Sequence, residues 1–489
     1  MKNSAPESFD DMPGTKRVHM VSLGCPKNRV DSEVMLGHLA SDGYVSTERA
    51  EDADLIVVNT CAFIDAAKEE SVDAILDAAD VKKRGGQKLL VAGCLSQRYA
   101  PELAKEIPEV DHFLGTGNVE SVRDVLVGSH ALPILGQPTP HPRLRGRNAL
   151  RPYRHEPDHS VDRPVAIPDP DFTLSADSPR IATQPGYSHY LKVSEGCSNS
   201  CAFCIIPKLR GPQRSRSIRD IAREVAHAID KGCVEFNIIA QDLCAYGKDR
   251  EGRESLAKLL RTLEGVAREA AGPRWFRCMY AYPRGLTQAV IDAIAESEHI
   301  VPYLDMPLQH ISDRLLRSMK RGKGGAATWS LMRRLRAAIP ELTLRTTFIT
   351  GLPGETEEDF EELMAFVREI RFERLGVFTY SPEEDTPAAS MANQVPSELA
   401  EERRQRLMGL QREISFEQQN ALVGQELPVL VEGISEETDL LLQGRHPGQA
   451  PEIDGLTYIS SGDARPGDVV RIRVEEAGDY DVAGGIVEP

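Results

Sequence analysis

The stretch Glu195-Gly196-Cys197-Ser198-Asn199-Ser200-Cys201-Ala202-Phe203-Cys204 follows an apolar, β-prone run, Tyr190-Leu191-Lys192-Val193. Its cysteines are spaced C-x3-C-x2-C. A loop this short can set three thiolates around one face of an iron–sulfur cube, which leaves one iron without a protein ligand. An open iron beside a barrel or cleft is a place to bind a reactant. Structural zinc normally takes four protein ligands, usually as two separated pairs. No Cys or His pair lies close by to complete one, so zinc and inert core thiols are the weaker readings.

Cys197, Cys201 and Cys204, with the aromatic Phe203 before the third, resemble the cluster loop of the radical S-adenosylmethionine (SAM) superfamily. That resemblance implies a [4Fe–4S] cluster whose open iron is chelated by SAM, and SAM cleavage to a 5′-deoxyadenosyl radical.

The 489 residues are enough for about three domains. With 41% hydrophobic residues, sizeable cores can form. No run approaches the roughly 18 apolar residues of a membrane helix. Met1 to Thr15 is polar and lacks the hydrophobic segment of a signal peptide, so residues 1–17 read as a disordered tail and the chain as cytoplasmic. Nine cysteines without an export signal point to metal or catalytic work instead of disulfides. A net charge of −17 disfavours non-specific nucleic-acid binding.

Residues 18–136 alternate apolar runs with helical patterns. Val18–Gly24 precedes Cys25, Leu55–Thr60 precedes Cys61, and Leu89–Gly93 precedes Cys94, with helical patterns over Asp31–Asp42 and Asp65–Arg84. Such alternation implies right-handed crossovers and a parallel sheet. All three cysteines then lie just past the carboxyl ends of strands, along the edge where open parallel sheets bind ligands. Free cysteine is often simply buried, but three at equivalent strand ends suit a second cluster with its own open iron. The segments Ser22–Glu33 (with Cys25-Pro26-Lys27-Asn28), Asn59–Ile64 and Gly93–Leu95 resemble the N-terminal domain of the methylthiotransferases. The resemblance implies an auxiliary [4Fe–4S] cluster on Cys25, Cys61 and Cys94. The Cys-Pro-Lys-Asn form resembles the branch that acts on a ribosomal protein instead of tRNA.

Residues 137–186 carry ten prolines and no sustained apolar period, and read as an extended linker that buries no core. His141, His155 and His159 within it read as solvated. From Tyr190 the alternation resumes, with strands expected at Tyr190–Val193, Glu235–Ala240, Trp275–Ala281, Tyr303–Met306, Leu342–Phe348 and Arg374–Tyr380. Six units over residues 187–420 fit a partial (β/α)6 barrel whose active rim is the carboxyl ends of its strands. On that rim Gln241, Gly351 and Gly354 resemble the SAM region of related enzymes. His310 reads as a rim or core histidine, Cys233 and Cys278 as core, and Cys244 as a thiol without a role. The run Arg314, Arg317, Lys320, Arg321 and Lys323 reads as a solvated helical face.

Residues 421–489 hold five short strands with Gly-rich turns, suiting a small β-barrel that resembles the TRAM domain. Fourteen acids against four arginines make a phosphate-binding surface improbable and suit a basic partner. Ala450–Gly455 also resembles the protein-modifying branch. The fold expected is thus α/β: a parallel-sheet N-terminal domain, a partial radical-SAM barrel and a TRAM-like barrel. The resemblance implies methylthiolation of an aspartate β-carbon in the twelfth protein of the small ribosomal subunit, with two clusters, SAM and an electron donor, and with no membrane partner. A tRNA-adenosine methylthiotransferase is the alternative; an electron carrier or iron–sulfur sensor is a rival from another class that has no need of open irons.

Overall fold

A computed structural model describes residues 15–126, 152–154, 167–252 and 254–487. They form two compact units. One holds residues up to 183 with 195–200 and 204–214; the other holds 184–194, 201–203 and 215 onward.

The first unit is built on β1 (Lys16–Ser22), α1 (Pro26–Ser41), β2 (Tyr44–Ser46), β3 (Leu55–Thr60), α2 (Asp65–Gly85), β4 (Lys88–Gly93), α3 (Cys94–Glu106) and β5 (His112–Leu114). The strands form a five-stranded sheet in the order β2-β1-β3-β4-β5, with every pair parallel. β3 and β4 are buried almost throughout because helices cover both faces of a parallel sheet, and their runs Leu-Ile-Val-Val and Leu-Leu-Val-Ala are correspondingly continuous. Chain direction across the sheet reverses between β1 and β3. Such a switch point opens a crevice at the carboxyl ends.

The tail expected over residues 1–17 lies outside the described residues up to position 14, while Lys16 and Arg17 already belong to β1. The proline-rich stretch departs from expectation. Residues 137–151 and 155–166, with His141, His155 and His159, lie outside the described residues. The described parts are extended but packed: Ile167, Phe172 and Leu174 are buried, and Tyr153 packs against the sheet's core. Glu33 of α1 holds the stretch by an ion pair to Arg180 and by hydrogen bonds from Thr183 N and Oγ1. Proline removes backbone donors, so a segment outside helix and sheet can still pack when side chains of the domain supply partners for its remaining groups.

The second unit contains β6 (Ser188–Lys192), β9 (Glu235–Ile239), β10 (Trp275–Cys278), β11 (Ile300–Asp305), β12 (Thr343–Thr350) and β13 (Arg374–Thr379). They form one parallel six-stranded sheet in the order β13-β12-β11-β10-β9-β6. This is the open barrel expected. The intervening β7 (Ser194–Glu195) and β8 (Arg214–Ser215) pair as a short ribbon that brackets the cysteine stretch in sequence. The helix Ser397–Asn420 leads to β14 (Glu426–Ile434), β15 (Leu442–Arg445), β16 (Thr457–Ser461), β17 (Val469–Ala477) and β18 (Val482–Ile486). These close into a barrel in the order β14-β15-β16-β18-β17, around Val429, Val431, Ile459, Ile472 and Val474.

The segment between β15 and β16 ties this small barrel to strands β10, β11 and β13 of the sheet. Tyr303 donates to Asp454 (2.7 Å), Arg277 to the Pro447 carbonyl (3.1 Å) and Arg374 to the Gly448 carbonyl (3.3 Å). The carboxyl ends of β9–β13 carry the rim.

Candidate active site

Cys25 is the N-cap of α1 and Cys94 the first residue of α3, so two helix amino termini direct their positive ends at thiols. Cys61 follows β3 directly. Side chains of the surrounding motifs tie the three loops together. Asn28 donates to the Leu23 carbonyl (3.0 Å) and the Thr60 carbonyl (2.8 Å). Asn59 donates back to the Asn28 carbonyl (2.8 Å) and to Ser32 Oγ (2.9 Å). Ser71 Oγ accepts from Cys61 N (3.0 Å) and donates to the Cys61 carbonyl (2.9 Å). The motif residues flanking the cysteines are therefore the braces of the crevice.

Two glycines are required by contact. Gly24 has a φ of +82°, and a Cβ there would lie 2.8 Å from Cys61 Cβ and 3.0 Å from its Sγ. Gly93 has a φ of +93°, and a Cβ there would collide with Asn59 and the Thr60 backbone.

Burial raises the Cys61 thiol, with the neighbouring Cys25 adding to the shift. Burial likewise pushes Cys94 up to about 12, against the opposing pull of Arg210. Arg210 is 2% exposed. Burial works against its charge, but Glu195, Cys94, Asp31 and Cys25 outweigh it and hold the guanidinium charged.

The stretch Glu195–Cys204 divides between the two units. In the first, Cys197 N donates to the Gly211 carbonyl (3.0 Å), and Asn199 Nδ2 lies 3.4 Å from Cys197 Sγ. Gly196 has a φ of +78° and no room for a Cβ against the Gly211–Pro212 backbone. In the second, Ala202 is buried with Met319, Leu352 and Ala388, and Phe203 packs against that cluster. Arg321 donates to Cys201 Sγ (3.5 Å), stacks over the Tyr282 ring and bonds the Pro307 carbonyl. Here the basic run is not only a solvated face: Arg321 is turned inward, with a sulfur, a ring face and a carbonyl as partners for its charge. Its spacing alone carried no signal of this.

On the rim, Gln241 lies just past β9, and Gly351 and Gly354 just past β12. Gly351 (φ +80°) donates its N–H to Glu355 (2.9 Å), and a Cβ there would strike Ala400. Gly354 donates to the Asn393 carbonyl (2.7 Å). Close packing against Ala400 of the helix Ser397–Asn420 accounts for Gly351, and a left-handed φ of +81° for Gly354. His310 is buried, its Nδ1 accepts from Ser312 N (3.0 Å), and burial lowers it to about 4, which makes it a neutral core histidine. Cys233, Cys244 and Cys278 are buried core thiols. Two rim residues were not singled out from sequence. Tyr280 and Gln309 hold φ of +62° and +77°, a strained state for side-chain-bearing residues.

Cys25, Cys61 and Cys94 offer thiol sulfurs, the donor type that iron–sulfur clusters take. All six cysteines are free thiols. A tetrahedral zinc would hold its sulfurs about 3.8 Å apart, given zinc–sulfur bonds of about 2.3 Å. Among the described residues, the only three metal-ligating atoms within 4.8 Å of one another belong to Glu264, Glu298 and His299, so Cys25, Cys61 and Cys94 are spread wider than one ion needs. Glu264 is itself occupied by Ser297 and the backbone N–H groups of Glu298 and His299. For SAM, the rim offers Gln309 Oε1, a buried acceptor without a hydrogen-bond donor.

Family models match three parts of the chain: the Uncharacterized protein family UPF0004 over residues 17–115, the Radical SAM superfamily over 191–367, and the TRAM domain over 423–487. The ribosomal protein uS12 methylthiotransferase RimO of Anaeromyxobacter sp. (strain Fw109-5) is 52% identical, covering 97% of this chain and 93% of that protein. The RimO of Myxococcus xanthus (strain DK1622) is 50% identical over 97% of this chain and 92% of its own length. The chain belongs to the RimO family. As a RimO-family member it is a radical SAM methylthiotransferase, with [4Fe–4S] and SAM as its cofactors. The radical SAM methyltransferase TsrM from Kitasatospora setae shares the fold, with a TM-score of 0.56 at 12% identity, covering 82% of this chain and 89% of that one. No described helix is long and apolar enough to cross a membrane.

Proposed function

We propose that this chain transfers a methylthio group to the β-carbon of an aspartate in ribosomal protein uS12, in the cytoplasm, drawing on an external electron donor. Cys25, Cys61 and Cys94 of residues 18–136 hold the auxiliary cluster. Cys197, Cys201 and Cys204 of residues 187–420 hold the radical SAM cluster, with SAM on the rim near Gln241, Gly351 and Gly354. Residues 137–186 connect the two domains, and residues 421–489 form the substrate-facing barrel. An unactivated C–H bond has no useful acidity, so side-chain acid–base catalysis does not reach it. The bound clusters and SAM supply the sulfur-transfer and radical chemistry.

The protein's own groups do the rest. Asn28, Asn59 and Ser71 fix the auxiliary loops. Arg321 and Asn199 donate hydrogen bonds to Cys201 and Cys197, which stabilises thiolate over thiol. The observation that carries this conclusion is the convergence of Cys25, Cys61 and Cys94, from three strand ends, on one braced crevice.

Charge favours a basic protein over tRNA as substrate. Of the four arginines after residue 420, Arg445 is buried in ion pairs with Glu235 and Glu432, and Arg471 and Arg473 face Glu426. Little positive charge is left for phosphates. The test is to incubate reconstituted enzyme, SAM and reductant separately with uS12 and with tRNA. A methylthio mass gain on uS12 is expected, and product on tRNA alone would overturn the assignment.

A further inference from the structure

Arg210 lies outside both cysteine triads, in the short helix Ile206–Arg210, six residues after Cys204. Its guanidinium nevertheless reaches the auxiliary crevice. Nη1 donates to Asp31 (2.7 Å) and Glu195 (3.0 Å), and Nη2 bonds Asn28 Oδ1, the same oxygen that lies 3.9 Å from Cys94 Sγ. Every group in this set is at most a few per cent exposed. Ile205 and Leu209, beside Arg210, are part of the hydrophobic core that includes Cys94 and Leu95, and Thr116 Oγ1 bonds the Leu209 carbonyl (2.6 Å). The guanidinium is therefore pinned, not swinging.

Taking Cys25, Cys61 and Cys94 as cluster ligands, as proposed above, we infer that Arg210 is a positioning residue that sets the charge balance of the auxiliary cluster. Glu195 lies two residues before Cys197, and Asp31 six after Cys25. One guanidinium thus clamps the flank of the radical SAM motif to the helix that Cys25 caps. A fixed cation beside the thiolates stabilises the form with more negative charge, which is the reduced form, and water is excluded from screening it. Reduction adds one electron from the donor to the cluster; no bond to Arg210 forms or breaks, and its protons stay in place. Asp31 acts with the opposite sign.

The full chain carrying Cys197→Ala, Cys201→Ala and Cys204→Ala leaves the auxiliary triad as the only cluster site of the two. In that background, a dithionite titration followed by electron paramagnetic resonance reads the midpoint potential. Arg210→Gln is expected to disfavour reduction about tenfold, equivalent to about 59 mV for one electron. Arg210→Lys is expected to stay close to the parent, and Asp31→Asn to shift the opposite way. A merely structural role would not give opposite signs. Full iron content with an unchanged midpoint in Arg210→Gln would overturn the inference. If Arg210→Gln fails to load iron, Asp31→Asn decides: a rise supports the inference and no shift overturns it. Failure of the parent background to hold iron would instead refute the auxiliary-cluster assignment itself.

Discussion

Arg445 of the C-terminal barrel and Glu235 at the start of β9 form a bidentate pair, with Nη1 to Oε1 at 2.7 Å and Nη2 to Oε2 at 2.8 Å. Arg277 joins the same carboxylate, and all three side chains are essentially inaccessible. Two cations hold Glu235 charged despite its burial, so its carboxyl stays well below the usual range. This pair spans 210 residues of sequence and fixes the barrel to the parallel sheet. Glu235→Gln leaves two buried guanidinium groups short of charge, and breaking a buried pair from one side typically costs about 3–5 kcal/mol. Chemical denaturation should show a loss of that order. A change under 1 kcal/mol would mean that the pair does not hold the barrel in place.

Cluster content separates the two triads. Replacing Cys25, Cys61 and Cys94 together by alanine should remove about half of the bound iron, and so should replacing Cys197, Cys201 and Cys204, on the premise of one cubane per triad. SAM cleavage should survive only the first replacement. Iron analysis and 5′-deoxyadenosine assays check both outcomes.

Gly24→Ala should impair the auxiliary site selectively. The new Cβ meets Cys61 at 2.8 Å in a backbone with φ of +82°, and the conformation alone costs about 1–2 kcal/mol for a residue with a side chain. Iron should fall towards half while SAM cleavage persists. Unchanged iron content would show that the loop tolerates the displacement.

Acid should weaken the second unit through His446. Burial, aided by the charges of Arg374, Arg277 and Arg445, lowers this imidazole to about 3. Its Nδ1 accepts from Gly448 N (3.1 Å), which favours the neutral form. The unfolded chain takes up a proton near the ordinary value of about 6.5, whereas the native chain does so only near 3. Stability is therefore full above about 6.5 and declines as pH falls towards 3, by about 1.4 kcal/mol per pH unit for this group. His310, lowered to about 4, adds to the slope in the same direction. His446→Gln should flatten the dependence between pH 6 and 4 in denaturation measured at several pH values.

Local pattern determined much of this protein. The alternation of apolar runs and helical periods gave both parallel sheets, because strands buried on two faces must be continuously apolar. Cysteine spacing marks one candidate triad, and recurrence at strand ends the other. Strand order, however, was decided by tertiary structure: the reversal between β1 and β3 is what makes a crevice of the strand ends holding Cys25 and Cys61. The same holds for the packing of the proline-rich stretch, where Glu33 supplies partners from 147 and 150 residues away. Arg210, Arg321 and Arg445 look alike in sequence, as basic residues among many. Their roles come from desolvation beside a sulfur or a carboxylate, and desolvation exists only once distant segments have closed around the charge.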